Sequence, residues 1–257
     1  MALSTYTMLF LQLAIGGMAA TSQAMTLVVF HTPSDGVILA TDSAVGSVTI
    51  GEIKSGRATP KSFGTACKIE KCGRYLVAEA GFGGLVSKSN KSASATRCSE
   101  IGDRPSNIQE FVSAYRRLAA EEINQYVSAL LQHKQEPAVN DVLLSAAIAG
   151  YELGSPALRY FDLIFTGIKD NQLSFRFARK DCPMGPECND LHIVAGEKHA
   201  ILACQQYQNT ADKLLLSEEL VRIEIEANRK TRHVLLPVSV VQIKDVKPRW
   251  FRPGLCT

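Results

Sequence analysis

Apolar positions in this chain come as short runs, then one long helical stripe, then short runs again. The TLVVFH run at 26–31, the TPSDG turn at 32–36 and VILATD at 37–42 predict a strand hairpin that ends in an acid. Residues 43–65 carry Gly, Ser and Lys without periodicity and predict a long loop. KIEK at 68–71 and YLVAEA at 75–80, divided by Cys72 and Gly73, predict a second hairpin that GFGG at 81–84 ends. A polar, Ser-rich loop is expected over 87–99.

The stripe follows. Ile108, Phe111, Val112, Tyr115, Leu118, Ala119, Ile123, Tyr126, Val127, Leu130 and Leu131 recur at helical spacing, opened by a capping box of Ser106 and Gln109 and stopped by Pro137. The apolar face is read as core. Strands are expected at 142–151, 158–166, 172–177 and 191–195, and a helix over 197–207. A further helix, capped by Ser217, runs to about residue 230. PVSVVQI at 237–243 predicts a closing strand, and 247–257 a tail. No repeat and no linker divides the chain, so residues 25–257 are expected to form one domain.

The N-terminus calls for separate treatment. Residues 8–20 (MLFLQLAIGGMAA) have the length and apolarity of a secretory core segment, and SQA at 22–24 offers small residues for cleavage after Ala24. No Lys or Arg precedes the stretch, so its positive end is the α-amine alone. The expectation is a leader over 1–24 and a secreted or periplasmic protein. Beyond it, no apolar run approaches the roughly 20 residues of a membrane-spanning helix, so no membrane association is expected after leader removal.

Composition narrows the classes further. With 46% hydrophobic and 21% charged residues the 257-residue chain is globular rather than disordered, and a net charge of +3 is too weak to propose nucleic acid as partner. Seven cysteines suit export. Cys182 and Cys188 close a short Pro/Gly loop and are expected to pair; the other partners cannot be read, and the odd count leaves one thiol free or paired between molecules. Zinc on Cys182, Cys188 and His192 matches no standard spacing, and His31, His133, His192, His199 and His233 form no ligand set, so neither metal nor cofactor is expected. The glycines at 81–84 lack the Lys and Ser/Thr of a phosphate loop. Asn90-Lys-Ser92 is a glycosylation sequon.

Several segments together resemble one family. TLVVF at 26–30, DGVILATDS at 35–43, Lys68-Ile69, AEAG at 78–81, AGYELGSPALRYFD at 149–162, SEEL at 217–220 and LPVSVVQI at 236–243 are similar, in order and spacing, to proteasome β-type subunits and related N-terminal-nucleophile (Ntn) hydrolases. The resemblance spans residues 26–243. It implies an α+β fold, a four-layer αββα sandwich of two antiparallel sheets between helix layers. Thr26 and Asp42 are 16 positions apart, the family's interval between nucleophile and acid. Lys68 falls at the family's lysine and Gly81 at its oxyanion donor, although the loop before Lys68 is longer than the family's.

The chemistry implied is coherent. A threonine hydroxyl needs a base, and in an N-terminal residue its own α-amine, with a pKa of about 8, can serve. Lys68, held charged by Asp42, favours the alkoxide, and the Gly81 N–H receives the oxyanion. The expected function is hydrolysis of an amide or peptide bond by Thr26. A catalytically inactive proteasome-like scaffold subunit and a small-molecule amidase are the alternatives, and a homo-oligomeric ring is the family habit. Three departures bear on activity: VAGE at 194–197 lacks the family's Ser between glycines, KTRHVLLP at 230–237 lacks its Asp, Ser and glycines, and Met25 stands where self-processing members carry Gly.

Overall fold

The computed structural model describes residues 19–23, 26–49, 63–86, 93–132, 134, 137–169, 172–183, 186–196, 198–206, 210–230 and 234–256. The strands are β1 (Ala19–Gln23), β2 (Thr26–Thr32), β3 (Gly36–Thr41), β4 (Ala44–Thr49), β5 (Phe63–Thr65), β6 (Ile69–Cys72) and β7 (Tyr75–Val86). Helices α1 (Ala93–Ile101) and α2 (Ile108–Gln132) follow, then β8 (Val142–Glu152), β9 (Ser155–Lys169), β10 (Gln172–Cys182) and β11 (Leu191–Gly196). The chain closes with α3 (Lys198–Gln206), α4 (Lys213–Ala227), β12 (Ser239–Ile243) and β13 (Arg249–Arg252).

Two antiparallel sheets result. The larger runs β10-β9-β8-β7-β1-β4-β5, with β6 paired to the first half of β7 on the edge that β1 borders further along. The smaller runs β11-β2-β3-β12-β13. Every residue of β2 and β3 is buried, which explains their unbroken apolar runs. Leu27, Val29, Val37 and Leu39 meet the larger sheet, while Val28, Phe30, Ile38 and Ala40 pack with residues of α3 and α4. The facing positions of the larger sheet are small: Ala78, Ala80, Ala147 and Ala149. Small side chains there leave room for the Leu and Val residues opposite, so the two faces pack into one layer. On its other face, Val77, Ile148, Phe161 and Phe165 pack with the α2 stripe of Phe111, Tyr115, Ala119 and Ile123.

A buried polar cluster pins this second interface. Arg97 of α1 donates to Glu79 of β7 at 2.8 Å, and the Tyr115 hydroxyl of α2 donates to the same oxygen at 2.6 Å. Arg97 also lies 3.5 Å from Glu122.

Several boundaries differ from expectation. The loop over 43–65 contains β4 and β5, β7 continues through the glycines to Val86, and the Ser-rich stretch holds α1. Asn107, not Ser106, caps α2: its side chain accepts from the Glu110 N–H at 2.9 Å, and Glu110 rather than Gln109 reaches back to the Ser106 N–H. Asp212, not Ser217, caps α4, accepting from the Leu215 N–H. The tail contains β13. Cys182 and Cys188 are bonded as expected, which takes them from any zinc site. Cys67–Cys256 and Cys72–Cys98 are two further bonds, and Cys204 is the free thiol. Among the described residues no helix is long and apolar enough to cross a membrane. Residues 1–18, Asn90 and the rest of its sequon, His133 and His233 lie outside the described residues; residues 19–23 of the expected leader form β1.

Candidate active site

Thr26 opens β2 and lies opposite Gly196 of β11, with Leu27 opposite Thr41 of β3. That register sets Asp42, the residue after β3, beside the start of β2. Thr26 and Asp42 are fully buried, as is Lys68. Lys68 sits in the short link between β5 and β6 on the larger sheet, so its pairing with Asp42 joins the two sheets. Its Nζ lies 2.8 Å from Asp42 Oδ1, with neither side chain touching solvent.

The Asp42 carboxylate is fully engaged. Oδ1 also accepts from the Thr26 N–H at 3.2 Å, and Oδ2 accepts from the N–H groups of Ala44 at 2.8 Å and Leu235 at 3.3 Å. Burial pushes the Asp42 pKa up and the Lys68 pKa down, against the attraction between them. The Thr26 hydroxyl is different. Its oxygen is buried and has no hydrogen-bond partner among the described residues. An orphaned polar atom of this kind costs folding free energy, about 1–3 kcal/mol, and calls for an explanation.

Gly81 has a positive φ of 98°, and a Cβ there would stand 2.6 Å from the Leu143 carbonyl oxygen, so only glycine fits. It lies opposite Gln23 of β1. Gln23 precedes Thr26 by three residues, a span of no more than about 11 Å. Thr26, Asp42 and Lys68 thus come together where the sheets meet, while Gly81 lies on the larger sheet opposite a residue three positions before Thr26.

Leu235 escaped sequence reasoning. It contributes through its backbone: its N–H goes to Asp42, and its carbonyl accepts from both the N–H and the hydroxyl of Ser43 at 3.0 and 3.1 Å. No side-chain signal marks such a role. It lies in the stretch that lacks the family's Asp and Ser, and main-chain groups contact Asp42 and Ser43 there instead.

β1 is paired on both sides, to β7 and to β4, so the segment that leads to Thr26 fills a slot in the larger sheet as an extended strand.

No family model matches the sequence, and no curated protein does. Solved structures do match. Anbu (ancestral beta-subunit) from Yersinia bercovieri superposes with a TM-score of 0.52 at 15% identity, covering 88% of this chain and 86% of that one. An Anbu (Gly-1) mutant from Hyphomicrobium sp. strain MC1 gives 0.51 at 12% identity, covering 89% and 85%. At such identities the likeness is one of fold, shared with both structures over nearly the whole length of the chain.

Proposed function

We propose that this protein is a threonine-nucleophile hydrolase of amide or peptide bonds, of the proteasome β type. The reading is carried by the unpartnered, buried Thr26 hydroxyl at the start of β2, beside the Asp42–Lys68 pair. The three core clusters are read as the interfaces of a four-layer αββα sandwich, the architecture of Ntn hydrolases.

In the active form Thr26 is the first residue. Its α-amine takes the hydroxyl proton as Oγ1 attacks the substrate carbonyl carbon. The Gly81 N–H stabilises the tetrahedral oxyanion, and Lys68 supplies positive charge nearby. The amine returns the proton to the leaving nitrogen, and an acyl-threonine ester remains. Water, deprotonated by the same amine, hydrolyses that ester and restores Thr26. In the intact chain the Thr26 nitrogen is an amide without basicity, so Met25 must be removed first.

The slot filled by β1 favours peptides over small amides as substrates. An extended peptide held there pairs its backbone with β4 and β7 as residues 19–23 do, and its next residues lead toward Thr26. Three disulfides accord with an oxidising compartment and hence with export. A homo-oligomeric ring is proposed by analogy with the fold. The missing Ser and Asp partners favour a second reading, a non-catalytic scaffold of the same fold. N-terminal sequencing of the native protein, followed by hydrolysis of fluorogenic peptides by wild type and Thr26→Ala, separates the two. Thr26 at position one with Thr26-dependent hydrolysis supports the enzyme; Met25 at position one, or equal rates, supports the scaffold.

A further inference from the structure

Lys68 is held from a direction that the ion pair does not account for. The residue before it, Cys67, is bonded to Cys256, 189 positions away. Cys256 ends a tail that starts with β13 on the edge of β12. Beyond β13 the chain turns back, the Cys256 N–H donating to the Pro253 carbonyl at 2.8 Å. The turn is docked on Ser239: the Ser239 hydroxyl donates to the Pro253 carbonyl at 3.2 Å, and Cys256 Sγ lies 3.3 Å from Ser239 Oγ. Gly254, with φ of 58°, packs so closely on Ser239 that a Cβ there would strike its hydroxyl. Ser239 in turn lies opposite Thr41, the residue before Asp42.

The tail therefore ties the two halves of the ion pair together. It rests on the strand neighbouring Asp42 in the smaller sheet and is bonded to the residue neighbouring Lys68 in the larger one. Around the 66–68 link the backbone also bonds locally: Ala66 N–H donates to the Ser43 carbonyl at 2.9 Å, and Ile69 N–H to Cys67 Sγ at 3.3 Å. A lysine on a four-carbon stem reaches a fixed carboxylate reproducibly only if its Cα is fixed too.

We propose that the segment 249–256 is a positioning element for Lys68, and that the Cys67–Cys256 bond makes the competence of the site depend on thiol reductants. This rests on the hydrolase reading above. Both members of this pair are half-buried, as is Cys98 of the third pair, whereas Cys182 and Cys188 are both buried, so a reductant reaches this bond before Cys182–Cys188. One thiolate of a dithiol such as dithiothreitol attacks a sulfur of the bond and expels the other cysteine as thiolate. The second thiol then displaces the mixed disulfide. The reductant leaves as a cyclic disulfide, and Cys67 and Cys256 have gained two electrons and two protons.

The test compares the oxidised mature chain with three others: the same chain reduced by dithiothreitol, Cys67→Ser/Cys256→Ser, and Cys182→Ser/Cys188→Ser as control. Amide hydrogen exchange over residues 66–71 needs no activity. It is expected to speed up at least tenfold on reduction and in the Cys67/Cys256 variant, with β2 and α2 unchanged. In parallel kcat should fall at least tenfold with KM within twofold. The alkaline limb of the rate profile should move to higher pH as Lys68 becomes hydrated, and reoxidation of the reduced wild type should restore all three. Unchanged exchange and unchanged kcat overturn the proposal, as does an equal effect in the Cys182/Cys188 control. An oxidised wild type that hydrolyses nothing counts against the hydrolase reading, while the exchange arm still decides whether the tail holds the lysine.

Discussion

Asp42 and Leu235, 193 positions apart, meet through a 3.3 Å hydrogen bond from backbone N–H to carboxylate. It is one of four donors on Asp42, and three of the four are main-chain groups. The acid is thus held mostly by backbone groups: a side-chain change at Lys68 removes one donor and leaves three, and a change at Thr26 leaves all four.

Thr26→Ala removes only the nucleophile and an unpaired oxygen. Hydrolysis should vanish while thermal stability holds or rises slightly, because the orphaned hydroxyl contributes nothing favourable to folding. Mass spectrometry of the N-terminus distinguishes the route of maturation. Met25 retained in Thr26→Ala means self-cleavage; Met25 lost means trimming by another enzyme.

Lys68→Met leaves the Asp42 carboxylate buried without a counter-charge, which should cost about 3–5 kcal/mol. Asp42→Asn combined with Lys68→Met removes both charges from the interior. It should be at least as stable as the wild type yet inactive. Urea unfolding of the three chains checks the order, and a double variant less stable than Lys68→Met would contradict it.

The rate should fall on both sides of a maximum. Activity needs a neutral Thr26 amine, so the rate should fall at acid pH as that amine is protonated. Activity also needs a charged Lys68, whose burial lowers its pKa from 10.5. The rate is therefore present below that lowered pKa and lost as pH rises through it. A kcat/KM profile with an alkaline limb at or above 10.5 would show that Lys68 charge is not required.

Arg97 and Tyr115 test the interface that positions β7. Tyr115→Phe deletes one hydrogen bond to the buried Glu79, a loss of about 1.5–3 kcal/mol. Arg97→Leu strands Glu79 without its cation and should cost more, about 3–5 kcal/mol. Equal effects in chemical denaturation would mean that Glu79 is protonated in the folded protein.

The meeting of Thr26 and Asp42 was legible because strand spacing is rigid: a hairpin of fixed register brings positions 26 and 42 together whatever the loops do, whereas Lys68 was reached only through the resemblance. The helical stripe of α2 was legible because nine of its residues face the core at helical spacing. What escaped depends on partners distant in sequence. α1 is poor in apolar residues and owes its place to the buried Arg97 and to the bond from Cys98 to Cys72. β4 and β5 have no strand pattern, and β4 pairs with β1, a segment read as leader. Leu235 acts through atoms that every residue shares. The two misplaced caps lay within five residues of better ones, Asn107 and Asp212, where several polar residues competed for one turn.

Cys204 packs between α3 and α4 against the outer face of the smaller sheet, and burial raises its pKa. Few molecules carry it as a thiolate at neutral pH, so for as long as the helices stay docked Cys204 is a poor nucleophile toward the three disulfides.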